Sequence, residues 1–230
     1  MNSIAKEKSN RNIDQAEPVL DDLSRTFIDA FPELNRVEQR IALNLYALLA
    51  EGDAVTLERL ARRSSMVLGD AKKILGNWPG IFYDEEKRVI GFWGIAISEM
   101  DHKLEVNNKT VYAWCAWDAL FIPELLNTTA TVISHCASTG DEITLTVHSD
   151  GAKPAQSNEE VVVSFLIPDE TALKENVTAS FCHYVHFFSS LAAGEQWTAD
   201  HPDTFLLSLE DAFILGKKVN AARYQQSFDR

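Results

Sequence analysis

The stretch YAWCAWDALFIPELL, residues 112–126, sets a thiol and a carboxylate close together among tryptophans and aliphatic side chains. If it is helical up to Ile122, the i to i+3 spacing places Cys115 and Asp118 on one face, close enough for a proton to pass. Burial disfavours a charged carboxylate, so we expect Asp118 to be an acid usable near neutral pH. A plainer interpretation makes Asp118 a helix-start residue bonded to backbone N–H groups, and Cys115 an inert core residue.

The sequence before this stretch predicts short helices followed by a hairpin. Helical spacing of apolar residues predicts three helices, in VEQRIALNLYALLAEGD (37–53), TLERLARRSSM (56–66) and VLGDAKKILGNWPG (67–80). Two apolar runs around the charged turn DEEK predict a β-hairpin in IFYDEEKRVIGFWGIAI, residues 81–97. Together these elements predict a winged-helix-like N-terminal helical domain over residues 18–100. The polar residues 1–17, which lack apolar periodicity, are predicted to form a flexible tail.

From Asp101 onward the pattern is that of a mixed α/β domain, residues 101–230. Strands are predicted in KLEVNNKTVYAW (103–114), ATVISHCAS (130–138), EITLTVHSD (142–150) and EVVVSFLIP (160–168). The segment LSLEDAFILGKKVNAARY, residues 207–224, predicts a closing amphipathic helix. TASFCHYVHFFSSL (178–191) fits a strand or a helix, and GAKPAQSNEE (151–160) is predicted to be a loop. The expected fold class is therefore α+β, with a mainly antiparallel sheet in the second domain.

Charge and composition narrow the classes of partner. The formal net charge of −13 argues against duplex DNA or an anionic membrane, although the winged-helix pattern is shared by DNA-binding proteins and by docking modules. We therefore expect no nucleic acid and no membrane partner. The N-terminal residues lack an apolar signal core and no run is long enough to span a bilayer, which predicts a cytoplasmic protein. Three widely spaced cysteines predict free thiols instead of a disulfide framework.

Two cysteines besides Cys115 are candidates for chemistry. Cys182 lies in SFCHYVHFF, where His183 and His186 are close enough in sequence to lower a thiol pKa if their rings turn toward it. If this segment is extended, His186 shares the face of the thiol and His183 points to the opposite face. Cys136, beside a histidine and just before a glycine turn, is predicted to be structural.

Two thiols and a carboxylate suit three kinds of site. Zinc is disfavoured because no pair of ligands has the usual CxxC or HxxxH spacing. A cysteine hydrolase needs a histidine base, and no local signature identifies such a triad. A soft, thiophilic metal held by two thiolates, with an acid nearby to deliver a proton, is the third class.

The motifs YAWCAWD, SHCASTG and SFCHYVHFF together resemble the three cysteine-bearing motifs of the organomercurial (alkylmercury) lyase family. The resemblance covers residues 105–220, and the preceding helices are similar to the winged-helix-like domain of that family. It implies that Cys115 and Cys182 are the catalytic cysteines, that Asp118 is the catalytic aspartate, and that Cys136 is structural. His183 departs from relatives that have a second cysteine directly after the catalytic one.

The resemblance also implies an activity. The chain is expected to cleave the carbon–mercury bond of alkyl- and arylmercury compounds by protonolysis, giving a hydrocarbon and Hg(II) for mercury detoxification. Mercury, as substrate and product, is expected on Cys115, Cys182 and Asp118, and the predicted substrate pocket is formed by aromatic residues, Trp114, Trp117, Phe121 and Phe181.

No organic cofactor is expected, and an exogenous small thiol is expected to release the product. Mercuric reductase is the implied acceptor of Hg(II), and the chain is expected to be a monomer or weak dimer. The alternative function is a non-catalytic, thiol-based heavy-metal binding protein, either a sensor or a carrier.

Overall fold

The computed structural model of the chain describes residues 13–31, 33–156, 160–167 and 170–228. Its helices are α1 (Ile13–Ala30), α2 (Arg36–Leu49), α3 (Leu57–Arg63), α4 (Leu68–Asn77), α5 (Ala116–Leu125), α6 (Glu170–Ser180), α7 (Leu191–Asp200) and α8 (Leu209–Phe228). Its strands are β1 (Ile81–Tyr83), β2 (Val89–Phe92), β3 (Ile95–Ala96), β4 (His102–Val106), β5 (Lys109–Ala113), β6 (Ala130–His135), β7 (Glu142–His148), β8 (Gly151–Pro154), β9 (Val162–Leu166), β10 (Phe187–Phe188) and β11 (Thr204–Ser208). Within these ranges, no helix combines the length and the apolar character needed to cross a bilayer.

The three helices predicted in the N-terminal half are confirmed as α2, α3 and α4. Helix α2 begins after Asn35, whose side chain accepts hydrogen bonds from the N–H groups of Val37 and Glu38, while Glu38 accepts from the N–H of Asn35. This reciprocal arrangement satisfies backbone donors that the first turn would otherwise leave unpaired. Helix α3 begins after Thr56, whose hydroxyl accepts from the N–H of Arg59.

The predicted hairpin is confirmed as β1 and β2, and it is continuous with the sheet of the second half of the chain. The eight strands run in the order β1-β2-β3-β5-β4-β6-β7-β8, and all neighbours are antiparallel. The short strand β3 makes the connection, since Gly91 of β2 pairs with Ala96 and Ile95 pairs with Ala113 of β5. The expected antiparallel sheet is therefore present, and it extends into the winged-helix-like part.

A second, three-stranded antiparallel sheet has the order β10-β9-β11. Its central strand β9 is buried along most of its length, which suits its apolar sequence VVSFL. Strand β9 was predicted, whereas β11 and helix α7 were not. The ambiguous segment 178–191 is neither one strand nor one helix: it contains the end of α6, a 3-10 turn at Cys182–Tyr184, and the two-residue strand β10.

Two predicted irregular segments contain regular structure. Helix α1 starts at Ile13 and includes Pro18, so the last five residues of the predicted tail 1–17 are helical, and residues 1–12 lie outside the described residues. Four residues of the predicted loop 151–160 form strand β8, which pairs with β7, while residues 157–159 are outside the description.

Helix α8 is confirmed, and it organises the packing of both halves. It contacts α1, α2 and α5. The closest approach to α5 is at Gly216, where an added Cβ would lie 2.9 Å from the Cβ of Phe121 and 3.2 Å from Nε1 of Trp117. The same indole N–H donates to the carbonyl of Ala212 at 3.1 Å. The small residue thus lets helices α5 and α8 approach each other closely beside Trp117 and Phe121.

Replacing Gly216 by alanine is expected to lower the free energy of unfolding by about 2 kcal/mol, because the new methyl group overlaps well-packed side chains. Gly76→Ala is the matched control, since that helical glycine has no atom within 4 Å of an added Cβ. It should stabilise the protein by about 0.5–1 kcal/mol through helix propensity alone. Urea unfolding of the two variants checks this, and equal effects would contradict close packing at Gly216.

Candidate active site

Cys115 and Asp118 meet at the start of helix α5. Cys115 is the N-cap residue in extended conformation, and Asp118 occupies the first turn. The thiol of Cys115 donates a hydrogen bond to Oδ2 of Asp118 at 3.1 Å, and the backbone N–H of Cys115 also donates to this carboxylate. Cys115 and Asp118 therefore share one face of the helix, as predicted. The hydrogen bond from the backbone N–H of Cys115 also agrees with the plainer interpretation, in which Asp118 is a helix-start residue bonded to backbone N–H groups.

Cys182 comes from a segment 64 residues further along the chain and completes the cluster. It opens the 3-10 turn, and the carbonyl of Val185, just after the turn, accepts from the N–H of Ala116 at the start of α5 at 3.1 Å. Its thiol lies 4.0 Å from Oδ2 of Asp118. A backbone hydrogen bond therefore joins the two cysteine-bearing segments beside the thiols.

Three ligand atoms, the two thiol sulfurs and a carboxylate oxygen of Asp118, all lie within 4.8 Å of one another. The residues are buried, with exposed fractions of 1% for Cys115, 7% for Asp118 and 5% for Cys182. Because soft metal ions prefer thiolate ligands, such a cluster suits a thiophilic metal. No histidine belongs to it in the described ranges, so neither a zinc set nor a hydrolase triad is formed by these groups.

Burial raises the pKa of Asp118 to about 7, although the hydrogen bonds from the thiol and the N–H of Cys115 act in the opposite direction. Desolvation disfavours the charged carboxylate, and no nearby cation compensates among the causes of the shift. The rise in the pKa of Asp118 that the sequence predicts is therefore found. A group with a pKa near 7 can take up a proton and return it at neutral pH.

Both thiols of the cluster hold their protons firmly in the absence of metal. Burial raises the pKa of Cys115 well above its ordinary value, and the neighbouring Cys182 and Asp118 add to the rise. The largest single influence on Cys182 is its hydrogen bond with Cys115, which lowers its pKa, but burial and the Asp118 charge together raise it. Neither thiol is thus a ready nucleophile until a base or a metal removes its proton.

Gly94 allows the carboxylate of Asp118 to lie against the backbone of the hairpin region. Its φ is +100°, and an added Cβ would be 2.5 Å from Oδ1 of Asp118. The carbonyl of Gly94 accepts from the N–H of Trp114 at 2.9 Å, and the preceding carbonyl, of Trp93, accepts from the hydroxyl of Tyr46 at 2.7 Å. The N-terminal half therefore forms one wall of the cluster.

A largely apolar cavity opens beside Asp118 and Cys182. All four residues predicted to form a substrate pocket line it, namely Trp114, Trp117, Phe121 and Phe181. Trp117 and Phe181 also pack against Phe27, with ring centroids 4.7 and 5.3 Å from it, so core packing and cavity lining coexist in these rings. The cavity also has lining residues that sequence reasoning missed. They lie directly after α1, on α2, on the β2–β3 connection and on α8, and include Phe31, Tyr46, Trp93, Gly94, Asn220, Arg223 and Tyr224.

A second, more polar cavity also borders Cys182. It is lined by Asp101 and by three histidines, His102, His183 and His186, with Trp114 shared between the two cavities. Burial lowers the pKa of His102 to about 3, and its Nδ1 lies 2.8 Å from the hydroxyl of Ser134. The extended conformation assumed for residues 182–186 is not found at the 3-10 turn. The ring of His186 is instead held by the carbonyl of His183 at 2.8 Å.

Cys136 lies outside the cluster, as expected for a structural cysteine. It follows β6, where its N–H donates to the carbonyl of Asp141 and its carbonyl accepts from the N–H of Gly140, both at 2.8 Å. It is 2% exposed. All three cysteines are free thiols, in agreement with the sequence prediction.

The fold and the site define a class of protein: a winged-helix-like unit sharing a sheet with an α/β unit that buries two thiols and a protonatable carboxylate beside an apolar cavity. Comparison with known families supports a narrower statement. The alkylmercury lyase family profile matches residues 95–220, and a profile described as the helix-turn-helix domain of alkylmercury lyase matches residues 22–93. The chain belongs to the alkylmercury lyase family. The division after residue 100 remains a sequence prediction.

Individual relatives agree with the family match. The chain is 39% identical over 183 residues to alkylmercury lyase of Staphylococcus epidermidis, covering 80% of this chain and 82% of that protein. It is 37% identical over 183 residues to the Bacillus cereus protein of that name, with 80% and 81% coverage. The crystal structure of the mercury-bound form of MerB2 has a TM-score of 0.68 at 22% identity, covers 88% of this chain and 98% of that one, and shows the shared fold.

Replacing Asp118 by asparagine is expected to stabilise the protein at high pH. The folded-state pKa, about 7, lies above the ordinary value of 3.8, so the folded state holds a proton where the unfolded state has lost it. That contribution to stability is present at low pH and is lost as the pH rises from about 4 through 7. At pH 8 the variant should be more stable by about 2–4 kcal/mol, with little difference at pH 4. Thermal unfolding at both pH values checks this, and a pH-independent difference would contradict a raised pKa.

Gly94→Ala is expected to displace Asp118 and to destabilise the protein by more than about 2 kcal/mol, since both the close contact and the positive φ oppose a side chain. Gly140→Ala is the control, because its φ is +76° but nothing lies within 4 Å of an added Cβ. That variant should lose only about 1 kcal/mol, from backbone strain. Denaturant unfolding compares them, and similar losses would show that the Asp118 contact is unimportant.

Proposed function

We propose that the protein cleaves the carbon–mercury bond of alkyl- and arylmercury compounds by protonolysis, releasing a hydrocarbon and Hg(II) in mercury detoxification. The observation that carries this proposal is the contact of two thiols with one carboxylate oxygen whose group has a pKa of about 7. Family membership supports the reaction class. The role of each residue in the individual steps is part of the same proposal.

The first step is capture of the metal by Cys115. Its thiol already donates to Oδ2 of Asp118 at 3.1 Å, so the ionised carboxylate can accept the proton along an existing hydrogen bond. The resulting thiolate attacks the soft mercury centre of R–Hg–X, and X leaves as an anion. Asp118 then holds the proton that the later step requires.

The second step adds Cys182 to the same mercury atom. Mercury bound nearby favours the thiolate form, and the proton that this thiol releases balances the charge of the leaving anion X, giving HX overall. Donation from two thiolates moves electron density toward the organic carbon. The electron pair of the carbon–mercury bond then takes the proton of Asp118, giving R–H and restoring the carboxylate.

The sum of these steps is balanced. R–Hg–X and two thiols give R–H, HX and Hg(II) held by Cys115 and Cys182. No organic cofactor takes part in this scheme. The apolar cavity supports it in two ways: it offers space for an alkyl or aryl group, and it keeps water away from charge developing on carbon.

Release of Hg(II) needs another thiol. We propose that small cellular thiols, or the dithiol of a mercuric reductase, take the metal from the two cysteines by ligand exchange. The polar cavity supports such an exchange, since Cys182 lines it as well as the apolar cavity. A monomer or weak dimer in the cytoplasm remains our expectation.

The alternative, a sensor or carrier that holds a heavy metal without turnover, uses the same three ligands. The family match does not favour it, because the relatives are named as lyases. The two functions differ in one product, since only the lyase forms a hydrocarbon.

Asp118→Asn is expected to bind mercury but to lose cleavage by a factor of about 100 or more, since the amide N–H is far too weakly acidic to protonate the departing carbon. Gas chromatography of benzene or methane released from phenylmercury or methylmercury, with excess small thiol, measures this loss. Cys115→Ala and Cys182→Ala should abolish multiple turnovers. Cys136→Ala is the matched control and should retain them, because that buried thiol is outside the cluster. Full activity of Asp118→Asn would exclude Asp118 as the acid, and stoichiometric binding by the unaltered protein without hydrocarbon would support the carrier.

A further inference from the structure

Arg223, on the last turns of α8, places its guanidinium group at the apolar cavity. The group lies 4.7 Å from the ring centroid of Trp93 and 4.8 Å from that of Phe31. The same cavity is lined by Asp118 and Cys182. A permanent positive charge therefore borders the space in which the organic group of the substrate is proposed to lie.

Two nitrogen atoms of Arg223, Nε and Nη2, are buried and have no hydrogen-bond partner within the described residues. These two atoms form one edge of the planar guanidinium group, the edge used in side-on, bidentate pairing with a carboxylate. A hydrogen bond joins Arg223 to the hydroxyl of Tyr224, which leaves that edge unused. The two unpaired donors can therefore bind both oxygens of one carboxylate.

Neighbouring groups do not supply the missing acceptor. In the part of the chain that the structure describes, no acidic side chain forms an ion pair with Arg223. The carboxylate of Asp118 is hydrogen-bonded to thiols, and Asn220 donates to the carbonyl of Phe121 and to Glu124. Buried donors without acceptors are costly, and a buried charge without a partner more so.

We propose that the free edge of Arg223 binds a carboxylate carried by the organomercury substrate. The proposal rests on the proposed lyase function and adds a substrate class to it. The carboxylate can stand on the organic group, as in carboxyphenylmercury, or on a thiol that is bound to mercury before transfer. Bidentate pairing fixes the orientation of such a compound, while a neutral compound uses the apolar walls alone.

The arrangement around Arg223 supports a positioned group instead of a mobile surface side chain. A chain of hydrogen bonds runs from Arg223 to Tyr224 and on to Tyr46, whose own hydroxyl proton is donated to the carbonyl of Trp93. Since the hydroxyl of Tyr46 has a single proton, Tyr224 is the donor in the bond between them. Arg223 is thereby linked to the residue that precedes Gly94.

The test compares substrates with and without a carboxylate in Arg223→Gln and Arg223→Lys. Hydrocarbon release is measured for phenylmercury and for 2- and 4-carboxyphenylmercury, all with the neutral thiol 2-mercaptoethanol. A further arm uses phenylmercury with 3-mercaptopropionate, which places the carboxylate on the thiol. If Arg223 recognises a carboxylate on the organic group, kcat/KM for carboxyphenylmercury should fall in Arg223→Gln; if it recognises one on the thiol, kcat/KM for phenylmercury with 3-mercaptopropionate should fall. In either case the expected fall, relative to phenylmercury with 2-mercaptoethanol, is roughly tenfold to a hundredfold. Arg223→Lys, which keeps the charge without the two-donor edge, should show a smaller fall.

A binding measurement separates this proposal from the activity itself. Benzoate, which contains no mercury, should quench tryptophan fluorescence saturably in the unaltered protein, and Arg223→Gln should weaken its binding about tenfold or more. Benzyl alcohol is the neutral control and should be insensitive to the substitution. Benzoate binding that depends on Arg223, found without any hydrocarbon release, would support the subsite and overturn the lyase function.

Equal falls in kcat/KM for carboxylated and neutral substrates, with unchanged benzoate binding, would overturn the subsite. Arg223 would then serve to hold Trp93 and Tyr224 in place. Circular dichroism of both variants confirms that they are folded, and the lysine variant provides the comparison if the glutamine variant is not.

Discussion

The contact between the Asp118 carboxylate and the thiol of Cys115 inside an apolar shell is the constraint on which the site depends. At neutral pH a carboxylate in water would stay ionised and have no proton to offer, and a thiol in water would be only partly ionised. Burial changes both groups together, because it raises the pKa of Asp118 to about 7 and holds the proton on Cys115. The hydrogen bond between them then gives a direct path for that proton. Gly94, which has no side chain, lets the Asp118 carboxylate lie against the backbone, and this position is buried from solvent.

Three distant parts of the chain are needed to build that shell. Helix α5 supplies one thiol and the carboxylate, the 3-10 turn supplies the second thiol, and the connection from β2 to β3 supplies the backbone wall. Helix α8 holds these parts in place, since it packs on α1, α2 and α5. Its own residues reach the cavity through Arg223 and Tyr224. The helix thus serves both as a structural support and as part of the cavity wall.

The sequence predicted features that depend on residues close together in the chain better than features that depend on contacts between distant residues. Spacing within one helix turn correctly placed Asp118 beside Cys115, and local patterns gave α2 to α4 and most strands. The family resemblance, and not periodicity, brought Cys182 to the same site, because a contact across 64 residues leaves no local pattern. Gly94 and Arg223 were missed for the same reason. Helix α1 was missed because its polar first residues and Pro18 suggest a break, whereas packing against α8 stabilises it. The roles of the three site residues remain predictions that chemistry must test.

Strand β3, only two residues long, joins the hairpin of the winged-helix-like unit to β5 of the other unit in one uninterrupted sheet. In many proteins a winged-helix unit is a portable module that can be moved between chains by gene fusion, because few contacts cross its boundary. Here backbone pairing crosses the boundary, and the very next residue before that strand is the glycine that accommodates Asp118. The winged-helix-like unit is therefore not an independent module. Exchanging it for another unit of the same shape would also replace one wall of the active site. The two halves are therefore expected to evolve together, because a substitution at their boundary in one half requires a compensating substitution in the other.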